Sequence, residues 1–488
     1  MSEVRAQDSP LAPPPGPGIT APDAVDSSSR WAILLLFWAG TKWLVLATLL
    51  GLLVGLKFHT PNLLADAAWL TYGRLQPAFW NVLLYGFAWQ TGLGAALWLL
   101  VRLGRTPVAY PMAALAGLGL WNLGLVIGLV GILSGDSTGH PWLEIPGYGS
   151  ILLLVAYALI ALSALGTFSR RQPLELHPSQ WFLLAALFWF PWIYSTAQLL
   201  LVADPVRGVF QAVVAWWFGA QFLWGCLAFV GLAVLWYLLP ALLERPLHSR
   251  YHALFAFWLL VLFTGWRGIP NSAPVPAWLP SVSTVFAVLC VVSLLAVALN
   301  LHRTVAGSYR KVWQQPALAL AVFGAGAYLL ATALGILQTL PSMSRVTDLT
   351  LFTPGVQGLF VYGFLGGTLL ALGRHVVPRW LPESAAVWPR ASWPIWVYLA
   401  GALLHALPLI LGGWAQGKAL NDPALVWTDA FQPALMALRF STLGDLLLLV
   451  GVSAHAWGFG GVLLRFVWRR TQPVLVSALK PEPIEVGS

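Results

Sequence analysis

Nine histidines and two cysteines are the obvious sources of metal, proton or nucleophile chemistry in this chain of 488 residues. His59, His140, His177, His248, His252, His302 and His375 fall in loops or near the ends of apolar runs, where an imidazole is ordinarily solvated. His405 and His455 lie within such runs. There an imidazole can bond one helix to another, carry a proton or ligate a metal, and the interhelical hydrogen bond is the default expectation. Cys226 and Cys290 also sit in apolar stretches and lack Cys-x-x-Cys spacing, so neither a disulfide framework nor a zinc site is expected. Lys42 and Asp445 are the only ammonium and carboxylate within these runs. Asp445 is close enough to an end to reach an interface, whereas Lys42 must snorkel along its own stem or find a partner. Ser283, Thr284, Tyr328, Thr332 and Tyr362 could form a hydroxyl relay, but this density is ordinary for helix packing. No phosphate-cradling glycine loop, Gly-x-Ser-x-Gly elbow, His-Glu-x-x-His pair or paired-carboxylate site occurs. GGW at 412–414 and GFGG at 458–461 read as small-residue helix contacts.

The elements that carry these residues follow from composition. Hydrophobic residues make up 59% of the chain and charged ones 9%, where soluble domains carry roughly 25%; the mean hydropathy is +0.77. The chain is therefore expected to be an all-α polytopic membrane bundle. A bilayer core takes about 20 apolar residues per helix, which predicts about twelve spans near 32–56, 78–102, 110–133, 148–168, 180–202, 208–239, 252–268, 278–300, 316–338, 355–378, 395–415 and 441–466. The seventh is the weakest, because Trp266, Arg267 and Gly268 interrupt it. Sixteen Lys and Arg residues follow even-numbered spans and seven follow odd-numbered ones. That bias places both termini on the cytoplasmic side of a bacterial inner membrane, and it accounts for the net charge of +9 without nucleic-acid binding. Residues 1–30, with six prolines and no long apolar segment, are expected to be a disordered cytoplasmic tail. Residues 31–470 form the membrane domain, and 471–488 a second cytoplasmic tail.

Specific segments narrow the class. The chain reads RLQPAFWNVL at 74–83, AWWFGAQFLWG at 215–225, ERPLHSRY at 244–251, FWLLVLFTGWRGIPN at 257–271, TLFTPGVQGLFVYGFLG at 350–366 and VVPRW at 376–380. In order and spacing these resemble landmarks of haem-copper oxidase subunit I, most closely the C family of cbb-type cytochrome c oxidases. The resemblance implies a twelve-helix bundle, oxygen reduction as the family activity, and membrane-anchored c-type cytochromes as partners. It also implies six histidine ligands. The low-spin haem ligand of the second span falls on Phe79, and the sixth-span copper ligand on Ala220. The adjacent pair completing the copper site falls on Pro270 and Asn271, within one or two residues, and the two haem ligands of the tenth span on Val356 and Gly358. The crosslinked tyrosine falls on Thr264.

None of these side chains is a haem or copper donor of the kind such ions require, namely imidazole, thiolate, thioether or phenolate. No His-His or His-x-His sequence exists that a shifted alignment could use. The leading expectation is therefore a non-catalytic descendant, a pseudo-oxidase scaffold in a respiratory or electron-transfer complex, holding no haem and no metal and contacting lipid and other membrane subunits. Two alternatives stand beside it. One is an active oxidase or nitric-oxide reductase relative with relocated ligands, in which haem b would need His405 and His455; the other is a transport or regulatory protein using the vacated interior. Phe79, Trp80, Phe222 and Trp224 are expected to fill the former haem volume, since an empty apolar cavity forfeits packing energy. A wide, polar, open cavity would contradict that filling.

Overall fold

The structure is a computed structural model and describes residues 28–381 and 392–478. Among the described residues, eleven helices are long and apolar enough to cross a membrane: α1 Arg30–His59, α2 Tyr72–Gly104, α3 Pro111–Ser134, α4 Gly147–Ser169, α5 Pro178–Ala203, α6 Phe210–Leu243, α8 Trp278–Val305, α9 Pro316–Gln338, α10 Phe352–Trp380, α11 Trp393–Leu420 and α12 Trp427–Arg469. The helix between α6 and α8, α7 Arg250–Thr264, has 15 residues. At 1.5 Å per residue it spans roughly 22 Å, short of a hydrocarbon core of about 30 Å. It ends where the sequence predicts trouble, at Gly265, Trp266 and Arg267. The last helix continues to Ala478, so the tail expected from 471 is helical at its start. Its remainder, most of the tail expected over 1–30, and Arg390 lie outside the described residues.

Burial divides the bundle into an inner and an outer set. The most apolar windows of α2, α6 and α10 are 100%, 78% and 94% buried, against 44% for α3 and α4 and 33% for α8. These three inner helices touch one another, and the remaining helices pack around them. The outer helices show large apolar side chains to their surroundings, among them Phe188, Leu262, Leu295 and Leu411, as a lipid-facing surface requires. Lys42 is exposed, with its ammonium 5.9 Å from the centre of the Trp38 ring. It therefore lies on the outer surface of the bundle, beside an indole.

The inner helices are not wound uniformly. π-helical turns occupy Val82–Trp89 in α2, Gln221–Leu227 in α6 and Leu359–Gly366 in α10. The widened segments begin three residues after Phe79 and directly after Ala220 and Gly358. Such turns are rare and concentrate at functional sites. Close approach of α11 and α12 has a simpler cause: a Cβ on Gly451 would lie 2.8 Å from the Tyr398 backbone nitrogen, so only glycine lets the two helices meet there.

Candidate functional site

The stretch AWWFGAQFLWG, on α6, forms one wall of a cavity of about 900 Å3. Four of the six positions that the resemblance assigns to metal ligands line this cavity: Ala220, Pro270, Asn271 and Val356. Its other walls come from the loop after α3 (His140, Trp142, Glu144), the loop after α7 (Arg267 to Ser272) and the segment before α10 (Asp348 to Thr350). It reaches the surface beside Ser272 and Leu349, both exposed.

Gln221 explains how the α6 wall holds the loop after α7. It is fully buried; its side-chain oxygen accepts from the Trp189 indole at 3.2 Å, and its amide donates to the carbonyls of Thr264 at 2.7 Å and Arg267 at 3.4 Å. The Trp217 indole donates to the Gly265 carbonyl at 3.3 Å. Ser283 of α8 completes the clamp, its oxygen accepting from the backbone N–H groups of Gly268 and Ile269 at 3.0 and 3.1 Å. Gly268 itself has φ +120°, and a Cβ there would lie 2.6 Å from that of Ala220. Only glycine satisfies both constraints. Gly268 is therefore the loop residue that abuts Ala220, with Pro270 and Asn271 further along the cavity wall. Thr264 is buried behind this wall, with its carbonyl committed to Gln221.

Across the cavity, Glu144 is buried and accepts from the Asn81 amide at 2.6 Å. Desolvation pushes its carboxyl up to about 7, although the Asn81 hydrogen bond pulls the other way. Asn81 belongs to the RLQPAFWN landmark, so a residue of that framework now anchors a loop carboxyl. The same loop is fixed by the Tyr85 hydroxyl, which donates to the Trp142 carbonyl at 2.7 Å. Asp348 is likewise raised, by burial first, with hydrogen bonds from Ser272, Gln338 and Ser344 opposing.

Phe79 and Gly358 stand apart from the cavity. The Phe79 ring packs against Gly51 of α1, 3.1 Å from where a Cβ would sit. Gly358 faces His405: a Cβ there would lie 2.7 Å from both Cδ2 and Nε2 of the imidazole. The His405 Nδ1 is 2.7 Å from the Asp445 carboxylate and 3.3 Å from the Ser441 hydroxyl, and its ring meets Tyr362 edge-on at 5.3 Å. Helix-to-helix bonding, the default expected of His405, is thus its observed engagement. His455 is buried in α12.

The expected filling by aromatics is half right. Phe79 is buried, and Phe222 stacks on Tyr85 and Phe218 with centroids 5.1 and 5.7 Å apart. Trp80 and Trp224 instead line an open cavity that also carries Glu144, Arg267 and Asp348, which corrects the expectation of collapse there. The physical reason is that charged groups on the wall and an opening to the surface admit water, so the space is not a dry void that must be filled.

The family described as Cytochrome C and Quinol oxidase polypeptide I matches residues 31–447. This chain belongs to the haem-copper oxidase subunit I family. Among curated relatives, the cytochrome c oxidase subunit 1 homolog of Azorhizobium caulinodans is 22% identical over 446 residues, covering 87% of this chain and 79% of that one. The Cbb3-type cytochrome c oxidase subunit CcoN1 of Stutzerimonas stutzeri is 21% identical over 457 residues, covering 91% and 94%. A solved heme-copper terminal oxidase dimer superposes with a TM-score of 0.70 at 14% identity, covering 95% of this chain and 86% of that chain, which establishes the shared fold. The family implies haem and copper. The donor chemistry here does not fit them at the six positions, since Phe, Ala, Pro, Val and Gly side chains offer no lone pair and an asparagine amide is a poor copper ligand. Among the described residues, no group of three or more His, Cys, Asp and Glu side chains is arranged to hold a metal.

Proposed function

We propose that this chain is a non-catalytic membrane subunit of the haem-copper oxidase subunit I family, a scaffold within a respiratory or electron-transfer complex. The observation that carries the reading is the wall of the cavity: Ala220, Pro270, Asn271 and Val356 line it, three of them offer no lone pair and the Asn271 amide is a poor copper ligand. Retention of π-helical turns beside Ala220 and Gly358 supports descent from a ligand-bearing bundle. The relatives are named as subunits, and the partners proposed here are membrane-anchored c-type cytochromes together with lipid. Relocated ligands find little support among the described residues, where no group of three or more His, Cys, Asp and Glu side chains is arranged to hold a metal.

The open cavity favours a second use that is compatible with the first, a site for a small molecule that the scaffold senses or passes on. One experiment addresses the main reading. Affinity-tagged chain is recovered in mild detergent, its visible spectrum and copper content are measured, and co-eluting subunits are identified. Co-elution of c-type cytochromes, with no haem b or copper stoichiometric to this chain, is expected; stoichiometric haem b or copper bound to the isolated chain overturns the reading.

A further inference from the structure

Arg267 is the least explained charge in the molecule. It is 4% exposed and lines the cavity, with its guanidinium carbon 5.4 Å from the centre of the Trp224 ring and near the Cys290 sulfur. Among the described residues it makes no ion pair. A guanidinium cannot shed its proton in a protein, and an unpaired charge held out of bulk water is unfavourable. Neither an indole face nor a thiol, a weak acceptor, neutralises it. Glu144 and Asp348, the two carboxyls on the same cavity, are instead hydrogen-bonded to Asn81 and to Ser272, respectively.

Ser283 adds a second donor. It is 2% exposed, lines the cavity, and its oxygen already accepts from Gly268 and Ile269. A hydroxyl also carries one proton to give, and no acceptor for it exists among the described residues. The backbone bond from Gly268 to Ser283 ties the hydroxyl to the residue next to Arg267. Two buried donors, one permanently charged, therefore share a cavity without an anion to receive them. The volume far exceeds one inorganic ion, and Trp80, Trp216 and Trp224 supply apolar faces around it.

We propose that this cavity binds a small organic carboxylate, its carboxylate held by Arg267 and Ser283 and its apolar body against the indoles of Trp224, Trp216 and Trp80. The proposal rests on the reading that no haem fills this space. Arg suits the role because its planar fork matches a carboxylate in two-point geometry and also stacks on an aromatic face.

The test uses the full chain in nanodiscs, with protein-free nanodiscs as the blank. Binding of 2-naphthoate and of 2-naphthamide, equal in shape and different in charge, is measured by calorimetry. A preference of roughly tenfold or more for naphthoate is expected, as a charge-assisted hydrogen bond provides. Arg267→Gln should reduce that preference to near unity while leaving naphthamide binding in place, and Ser283→Ala should reduce it partly. Equal binding of the two probes by the native chain, no binding at all, or an unchanged preference in Arg267→Gln overturns the carboxylate site. Displacement of naphthoate by chloride at equal concentration overturns its organic specificity. The native chain alone decides the first comparison, so a poorly folding variant does not block it. A visible spectrum of the same nanodiscs separates the two readings: stoichiometric haem overturns the non-catalytic reading, whereas haem-free discs without charge preference overturn only the carboxylate site.

Discussion

Adding a single methyl group at Gly358 tests whether His405 has taken the space beside it. A Cβ there would stand 2.7 Å from both Cδ2 and Nε2 of His405, over half an ångström inside ordinary carbon contact. The imidazole cannot simply swing away, because its Nδ1 is held by Asp445 and Ser441. Gly358→Ala should therefore show the cost of overpacking, about 1–3 kcal/mol, despite the helix propensity that alanine adds. Gly326 on α9 is the control: it is exposed and nothing lies within 4 Å of an added Cβ, so Gly326→Ala should be neutral or stabilise by up to about 1 kcal/mol. Removing the imidazole separates clash from context. His405→Ala leaves the buried Asp445 carboxylate without its partner, costing on the order of 3 kcal/mol, but in that background Gly358→Ala should become nearly silent. Unfolding of the detergent-solubilised chain in denaturant, followed by tryptophan fluorescence, gives the four stabilities of the cycle. A coupling below about 0.5 kcal/mol, or a Gly358→Ala cost no larger than that of Gly326→Ala, would refute the claim that the imidazole occupies this volume.

Glu144 provides a pH signature. Its carboxyl is raised from 4.5 to about 7 in the folded chain, so the folded state holds the proton more tightly than the unfolded state. Its favourable contribution is present at low pH and is lost as pH rises from about 4.5 through 7, on the order of 3 kcal/mol over the window. Glu144→Gln, which keeps an oxygen for Asn81, should be the more stable protein at pH 8 and should lose this slope; an unchanged slope in thermal melts across pH 5–8 counts against it. Gln221→Leu removes three hydrogen bonds at a fully buried site, and the stranded carbonyls and indole should cost about 2–4 kcal/mol. The same change should free the loop after α7, read as faster hydrogen exchange at Gly268 and Ile269; unchanged exchange there would sink the latch. Ala220→His, which places an imidazole at the edge of open space, should cost under about 1 kcal/mol, whereas Gly358→His should fail to accumulate in membranes. Equal yields of the two variants would contradict the contrast between an open and a filled region.

The bundle was legible in the sequence because lipid demands continuous apolar runs, and each expected span has a helix over it. The boundaries moved where other forces act. The twelfth helix starts at Trp427, well before the apolar run, since amphipathic turns can extend a helix beyond the bilayer. The seventh stops at Thr264, just before Gly265, and Gln221 satisfies its terminal carbonyl. Reading the landmark motifs located the candidate site, in that four motif positions share one cavity. Arg267, however, stood out in the sequence only as an interruption of a span, although a lone arginine between Trp266 and Gly268 at a span end is a signal that could have flagged it. Glu144 gave no local signal: its hydrogen-bond partner, Asn81, lies 63 positions away. Contacts at such separation leave no periodic trace in a single sequence.

The contrast between the two regions bears on how the interior changed. Near Phe79 and Gly358 the surroundings are apolar or internally paired, and an empty space there would lose dispersion contacts with nothing to replace them. A phenyl ring against Gly51 and an imidazole against Gly358 meet that requirement. Around Ala220 the walls include carboxyls, amides and a guanidinium, and the loops that bear them reach the surface. Polar and charged groups on a wall are better served by water or a ligand than by collapse onto apolar neighbours. One open chamber carrying charged groups beside one filled, hydrogen-bonded region is the arrangement that these two kinds of lining favour.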